Sequence, residues 1–236
     1  MTGSISFQID PPARGEDNMK VDSENLRIAE ESSRPVTVIR FYQWSAATVS
    51  LGKHQSPERA CDTDFCRRKG IPIVHRPTGG RAVLHDNELT YSVVSNDQTL
   101  FPVNDLMGTY RVISKGLMAG FSRCGITVIA SAGTRENGDS REKGLQSPCF
   151  SSPTRHELMF SGRKLAGSAQ RRLKRSFLQH GSIPIRVDYQ FMARALATSP
   201  ELLRSQMTSI EEVSGENIAL KDLIKALTSG FEETLA

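Results

Sequence analysis

The stretch that decides the fold runs His75-Arg76-Pro77-Thr78-Gly79-Gly80-Arg81-Ala82-Val83-Leu84-His85-Asp86. Strand-like runs surround it, at residues 71–75 before, 82–84 within and 89–95 after. Glycine reaches backbone conformations closed to other residues and presents bare amides. The Thr78-Gly79-Gly80 turn can therefore wrap a carbonyl or a phosphate, or serve only a tight hairpin. Neither G-x-x-x-x-G-K-[ST] nor G-x-G-x-x-G spacing is present, which removes the P-loop and the dinucleotide fingerprint.

Working outward, β-branched and aromatic residues predict strands over 35–44 and 47–51. Ser56-Pro57 reads as a cap with a first-turn proline and Gly70 as a stop, which predicts one helix over 57–69. Asn104 is expected to cap a helix in which Leu106, Tyr110, Ile113, Leu117 and Phe121 recur at three and four, ending at Gly125. Short strands are expected at 126–130 and 156–160. A hairpin is expected from 163–172 and 176–186, and helices over 17–31, 190–197 and 216–231. Residues 131–147, polar and glycine-rich, read as a loop. Strands joined by hairpins with helices between them predict an α+β fold, a mixed and largely antiparallel sheet flanked by helices. Residues 1–16 are expected to be a flexible lead-in and residues 17–236 a single catalytic domain.

The chain has 236 residues, 38% of them hydrophobic and 24% charged, enough for a sizeable core. No apolar run spans a membrane and no secretory signal is legible at the start, so a cytoplasmic location is expected. Four cysteines without C-x-x-C spacing suit reduced thiols. The net charge of +4 fits an acidic partner or a nucleic acid equally. Five histidines show no zinc-binding spacing, so no metal and no cofactor are expected. The run Arg171-Arg172-Leu173-Lys174-Arg175 lacks interleaved aromatics, which favours a docking surface for an acidic carrier protein over nucleic acid.

Cys149 stands in a polar stretch fifteen residues before Lys164, within reach of the chemistry of a tuned nucleophile. A free thiol with a pKa near ~8.5 is mostly protonated at neutral pH, and a nearby ammonium favours the thiolate. Cys61, Cys66 and Cys124 lie in predicted helices or at a helix end and read as structural. On a regular strand Lys164, Ala166, Ser168 and Gln170 would share one face, with small residues leaving room for a substrate. His85 is expected to order the glycine turn with Asp86.

Together these segments resemble a known superfamily. Arg76 to Asp86 followed by Glu88-Leu89-Thr90-Tyr91-Ser92, and Gly162-Arg163-Lys164-Leu165-Ala166-Gly167-Ser168-Ala169-Gln170 with Leu178-Gln179-His180-Gly181-Ser182-Ile183, look like the two hallmarks of the biotin and lipoate protein ligases and octanoyltransferases. Arg40-Phe41-Tyr42-Gln43-Trp44 and Ser50-Leu51-Gly52-Lys53-His54-Gln55 match upstream. His75 departs from the pattern, since relatives often carry a second arginine there.

The resemblance implies a catalytic domain related to class II aminoacyl-tRNA synthetases. Cys149, at its spacing from Lys164, is most similar to the LipM-type octanoyltransferases. What this implies is transfer of an octanoyl group from octanoyl-acyl carrier protein, through a Cys149 thioester, to a lysine of a lipoyl domain of a 2-oxoacid dehydrogenase or of the glycine-cleavage H protein. Cys149 and Lys164 would be catalytic. Arg76, Thr78, Gly79, Gly80, His85, Gly167 and Ser168 would bind substrate. An ATP-dependent lipoate-protein ligase, a lipoyl-protein octanoyl amidotransferase and a non-catalytic binding module remain alternatives.

Overall fold

The structure, a computed structural model, describes residues 5–131, 157–216 and 218–236. In chain order the first elements are β1 (Ile5–Ile9), α1 (Gly15–Glu31), β2 (Thr37–Tyr42), β3 (Thr48–Leu51), α2 (Pro57–Ala60), α3 (Thr63–Lys69), β4 (Ile73–His75), β5 (Val83–His85) and β6 (Glu88–Ser95). Then come α4 (Leu106–Arg123), β7 (Ile129–Ala130), β8 (Leu158–Phe160), β9 (Arg163–Arg172), β10 (Phe177–Pro184), α5 (Tyr189–Ala195), α6 (Pro200–Gln206), α7 (Ile210–Ser214) and α8 (Leu220–Leu235).

Seven strands form one sheet in the order β1-β2-β6-β10-β9-β8-β7, and three form a second in the order β4-β3-β5. Within the large sheet only β1 and β2 run parallel, and in the small one β3 and β4 do; the other pairings are antiparallel. The α+β class with a mixed, largely antiparallel sheet is therefore as expected.

Strand alternation explains the layering. Ile39 and Phe41 of β2, Leu89, Tyr91 and Val93 of β6, and Phe177 and Ile183 of β10 join α4 and α8 residues in the largest core cluster. The two helices cross closely there, and Phe231 of α8 meets Phe41 of β2 at 6.4 Å between ring centroids. A second core lies under the small sheet, where Val49, Leu51, Phe65, Leu84, Met192 and Leu203 pack together. On the opposite face of the large sheet, α1 contributes Leu26 and Ala29 against Val94 and Leu178.

Three local expectations change. Residues 5–9, placed in a flexible lead-in, form β1; Ile5 and Phe7 pack on the main core while the backbone pairs with β2. The helix over 57–69 breaks in two because the Asp62 side chain accepts the Phe65 N–H and caps α3, while the Asp62 N–H reaches Ala195 O in α5. The long helix is capped by Asp105, whose side chain accepts the Met107 N–H, rather than by Asn104. The loop of residues 131–147 lies, beyond Ser131, outside the described residues. Cys61, Cys66 and Cys124 are free thiols, and burial pushes the Cys61 thiol up to about 12. Among the described residues no helix is long and apolar enough to cross a membrane.

Candidate active site

Many of the residues that alternate with the main core point the other way and are polar. Arg40 and Tyr42 on β2, Thr90 and Ser92 on β6, and His180 and Ser182 on β10 are all buried. Register aligns them: Ser92 pairs with both Arg40 and His180, and Thr90 with both Tyr42 and Ser182. Burying hydroxyls, an imidazole and a guanidinium side by side is costly unless every group is partnered.

Asp22 of α1 supplies much of that partnering. Its carboxylate accepts from Arg40 Nη1, Tyr42 Oη and Ser92 Oγ, each at 2.9 Å, and lies 3.1 Å from His180 Nδ1. Burial alone would raise the Asp22 pKa; the His180 hydrogen bond, the charges of His180 and Arg40 and the Tyr42 hydroxyl together hold it below the ordinary value. Burial likewise pushes His180 below 6.5, against the pull of Asp22 and with the help of Arg76 and His85. Near neutral pH the pair is thus a carboxylate and a neutral imidazole.

A second carboxylate, Glu88 of β6, accepts from Thr90 and Ser182 hydroxyls and lies 2.9 Å from His85 Nδ1. His85 Nε2 in turn lies 2.7 Å from Ser50 Oγ on β3. His85 therefore meets Ser50 on one side and Glu88, rather than Asp86, on the other. Trp44 stacks on the His85 ring at 3.9 Å and donates from Nε1 to Thr90 Oγ1 at 2.8 Å, which fixes its indole against the site.

These side chains line a narrow, partly open pocket beside the glycine turn. Met19, Tyr42, Trp44 and Val83 supply apolar wall, and Ser50, Arg76, His85, Thr90, Ser168, His180 and Ser182 polar wall. Gly167 and Gly181, on adjacent strands β9 and β10, also line it. Gly181 has no room for a side chain: a Cβ there would stand 2.5 Å from the Tyr91 ring and 2.7 Å from Gly167 O.

The glycine turn closes one side. Arg76 is buried and directs its guanidinium back onto its own turn. Nε reaches Thr78 Oγ1 and Gly79 O at 3.2 Å, Nη1 reaches Ser50 O at 3.0 Å and Ser50 Oγ at 3.2 Å, and Nη2 reaches Gly79 O at 2.8 Å and Arg81 O at 2.7 Å. Gly80 has φ of +95°, and a Cβ there would meet Arg76 Nη2 at 2.8 Å. Gly79 is different, since a Cβ there meets nothing within 4 Å among the described residues.

Of the residues singled out in the sequence, Arg76, His85, Gly167 and Ser168 meet at the pocket, and Thr78 lies behind it, buried and bonded to Arg76 and His180. Ser168 Oγ is 2.7 Å from Tyr91 Oη. Gly79 lines a neighbouring groove with Lys53, His54, Arg171 and Arg172. His75 points away, its Nε2 3.0 Å from Gln55 O.

Lys164 is buried and forms an ion pair with the buried Glu157 at 2.8 Å. It does not share a face with Ser168 by simple alternation. Leu158 pairs with Ala166 but Met159 with Lys164, so Leu165 is an extra residue in β9 and the period of two fails there. Cys149 lies outside the described residues, as does His156. Asp22, His180, Ser50, Ser182 and Trp44 were not among the expected site residues. The signal for His180 and Ser182 was alternation: Arg40-Phe41-Tyr42, Thr90-Tyr91-Ser92 and His180-Gly181-Ser182 each put polar groups on one face of a strand.

A buried carboxylate–imidazole face thus lies beside a glycine turn, over a half-apolar pocket. The chain belongs to the lipoyl protein ligase A/B catalytic domain family, whose model matches residues 15–232. Within that family it is similar to the octanoyltransferase LipM of Brevibacillus brevis, 38% identical over 228 residues that cover 92% of this chain and 82% of that protein. The octanoyltransferase LipM of Staphylococcus epidermidis is 37% identical over 227 residues, covering 92% and 82%. Among solved structures, a lipoate protein ligase from Thermoplasma acidophilum with bound lipoic acid superposes with a TM-score of 0.76 at 22% identity, covering 100% of this chain and 86% of that one. A lipoate-protein ligase A bound with ATP gives 0.74 at 22%, with the same coverage. At that identity these two establish the fold.

Proposed function

We propose that the chain, an acyltransferase of the octanoyl type, carries the octanoyl group on Cys149 between a carrier thioester and a lysine of an acceptor protein. The observation that supports this most is the pocket beside the glycine turn, apolar along Met19, Tyr42, Trp44 and Val83 and polar along Ser168, His180 and Ser182. That division suits an aliphatic chain ending in a carbonyl.

The Cys149 thiolate attacks the thioester carbonyl of octanoyl-acyl carrier protein; a new C–S bond forms as the old one breaks, and the carrier leaves as a thiolate that takes a proton from solvent, the proton the acceptor amine later returns. A neutral lysine amine of a lipoyl domain or of the glycine-cleavage H protein then attacks the acyl-enzyme. An amide forms, and Cys149 is released as thiolate for the next turnover. Thioester exchange is near balance and amide formation is downhill, so the sequence needs no ATP and no cofactor.

Lys164 lies three residues before the pocket residue Gly167 on β9, about 10 Å along a strand. Its charge would favour the Cys149 thiolate. Arg76, Thr78, Gly79, Gly80 and His85 shape the turn that receives the acyl carbonyl, with Gly167 and Ser168 opposite. Lys53, His54, Arg171 and Arg172 line a groove beside Gly79, which suits docking of an acidic carrier. A reduced, cytoplasmic setting fits a free-thiol nucleophile.

Incubation with octanoyl-acyl carrier protein in the absence of ATP is expected to add one octanoyl mass to the protein, removable by hydroxylamine. Cys149→Ala is expected to abolish both this adduct and transfer. Full transfer by Cys149→Ala would overturn the covalent route, and activity requiring ATP and free lipoate would make the chain a ligase.

A further inference from the structure

Two acid–imidazole–hydroxyl chains converge on one guanidinium. In the first, Asp22 Oδ2 lies 3.1 Å from His180 Nδ1, and His180 Nε2 lies 2.7 Å from Thr78 Oγ1, which accepts from Arg76 Nε at 3.2 Å. In the second, Glu88, His85 and Ser50 follow one another at 2.9 Å and 2.7 Å, and Ser50 Oγ accepts from Arg76 Nη1 at 3.2 Å. The remaining Arg76 donors draw in Gly79 O and Arg81 O, across the two glycines of the turn.

The first chain has its protons ordered. Asp22 is completely buried and accepts three other hydrogen bonds, so it faces His180 as an acceptor and Nδ1 carries the hydrogen. Nε2 is then the acceptor, the Thr78 hydroxyl donates to it, and the Thr78 oxygen keeps a lone pair for Arg76.

We propose that Asp22 and His180 are positioning residues for acyl transfer: through the Thr78 hydroxyl they hold Arg76, and with it the Thr78–Arg81 turn, in the shape that receives the acyl carbonyl. This rests on the acyl-transfer reading of the same pocket and adds residues that the reading does not need. Asp22 and His180 come from α1 and β10, 158 positions apart, and act on a turn in a third region. Loss of either end of the chain should therefore look alike.

The chain also has a pH sense. A protonated His180 cannot accept from Thr78, so the turn loosens as the imidazole gains its proton. The charged and titratable groups around it are Asp22 on α1, Arg40 and Tyr42 on β2 behind that carboxylate, Arg76 on the turn, and His85 with Glu88 on β5 and β6.

The test compares Thr78→Ser, Thr78→Val, His180→Gln and the double variant Thr78→Val/His180→Gln. Octanoyl transfer from octanoyl-acyl carrier protein and melting temperature are measured on each. Thr78→Ser keeps the hydroxyl and is expected to stay close to the parent. Thr78→Val and His180→Gln are expected to lose roughly tenfold in kcat/KM, and the double variant no more than either single, because all three break one chain. Thr78→Val equal to the parent, or losses that multiply in the double variant, would overturn the proposal.

Binding of octanamide repeats the comparison without chemistry. Trp44, the sole tryptophan and part of the pocket wall, reports it by fluorescence. Octanamide affinity is expected to weaken below pH 6.5 in the parent, and this dependence is expected to vanish in Thr78→Val. An affinity and pH profile unchanged in Thr78→Val and His180→Gln would overturn the proposal whatever the transfer assay shows. A parent protein that binds octanamide in this way yet transfers no octanoyl group would overturn only the proposed function.

Discussion

The two faces of the large sheet are equally buried and opposite in character. Toward α4 and α8 the strands present Ile39, Phe41, Leu89, Val93, Phe177 and Ile183, partnered by dispersion and the removal of apolar area from water. Toward α1 and the small sheet they present Arg40, Ser92, His180 and Ser182, partnered by two carboxylates. An apolar face tolerates repacking, because contacts are non-directional and each is small. A polar face does not, because removing one partner leaves another group buried and unsatisfied. The first face stabilises the fold and the second carries the site.

The largest expected breach of this contrast is Asp22→Ala. It strips four partners at once and leaves Asp10 Oδ2, at 2.6 Å, as the remaining carboxylate on Arg40 among the described residues. A loss of about 3–5 kcal/mol in denaturant unfolding is expected, together with loss of transfer activity in whatever remains folded. A loss below about 1 kcal/mol would show that the four groups around Asp22 do not depend on it.

Leu227→Ala probes the other face. Leu227 is fully buried in the main core, on the crossing of α4 and α8. About 2–5 kcal/mol should be lost, with activity per folded molecule unchanged. A fall in activity per folded molecule would mean that the two faces are coupled through the sheet.

The smallest and sharpest contrast separates neighbours. Gly80→Ala forces a side chain into positive φ and toward Arg76, and is expected to cost about 1–2 kcal/mol and most of the activity. Gly79→Ala meets no described residue within 4 Å and is expected to stay within about 0.5 kcal/mol with activity retained. Equal effects in thermal melts and transfer assays would remove the Gly80–Arg76 contact from the site.

Much of this was legible in the sequence. Period-two and period-three-to-four patterns located most of the strands and the long helices, because burial on one face imposes those periods. Ile5–Ile9 was not recognised: its Ile5 and Phe7 contribute too little pattern without β2 beside them. The short α6 and α7 were missed for the same reason, although Ser199 and Ser209 cap them. At the site, the glycine turn was legible as a motif, but the role of Arg76 was not, since nothing in the sequence tells whether a guanidinium faces outward or folds back on its turn. Lys164 was placed on a face by counting twos, and the extra Leu165 defeats such counting. Asp22 and His180 are far apart in the chain, and only the packing of α1 on β10 and β6 brings them together.

The short pair β7 and β8 has a further consequence. Ser131 N donates to Glu157 O at 2.8 Å, so two residues 26 positions apart are joined at the end of the β7–β8 pair, and Glu157 also forms the ion pair with Lys164. The proposed nucleophile Cys149 falls between these two residues in the sequence, so the sheet edge that carries the partner of Lys164 also ties together both ends of the segment that bears it.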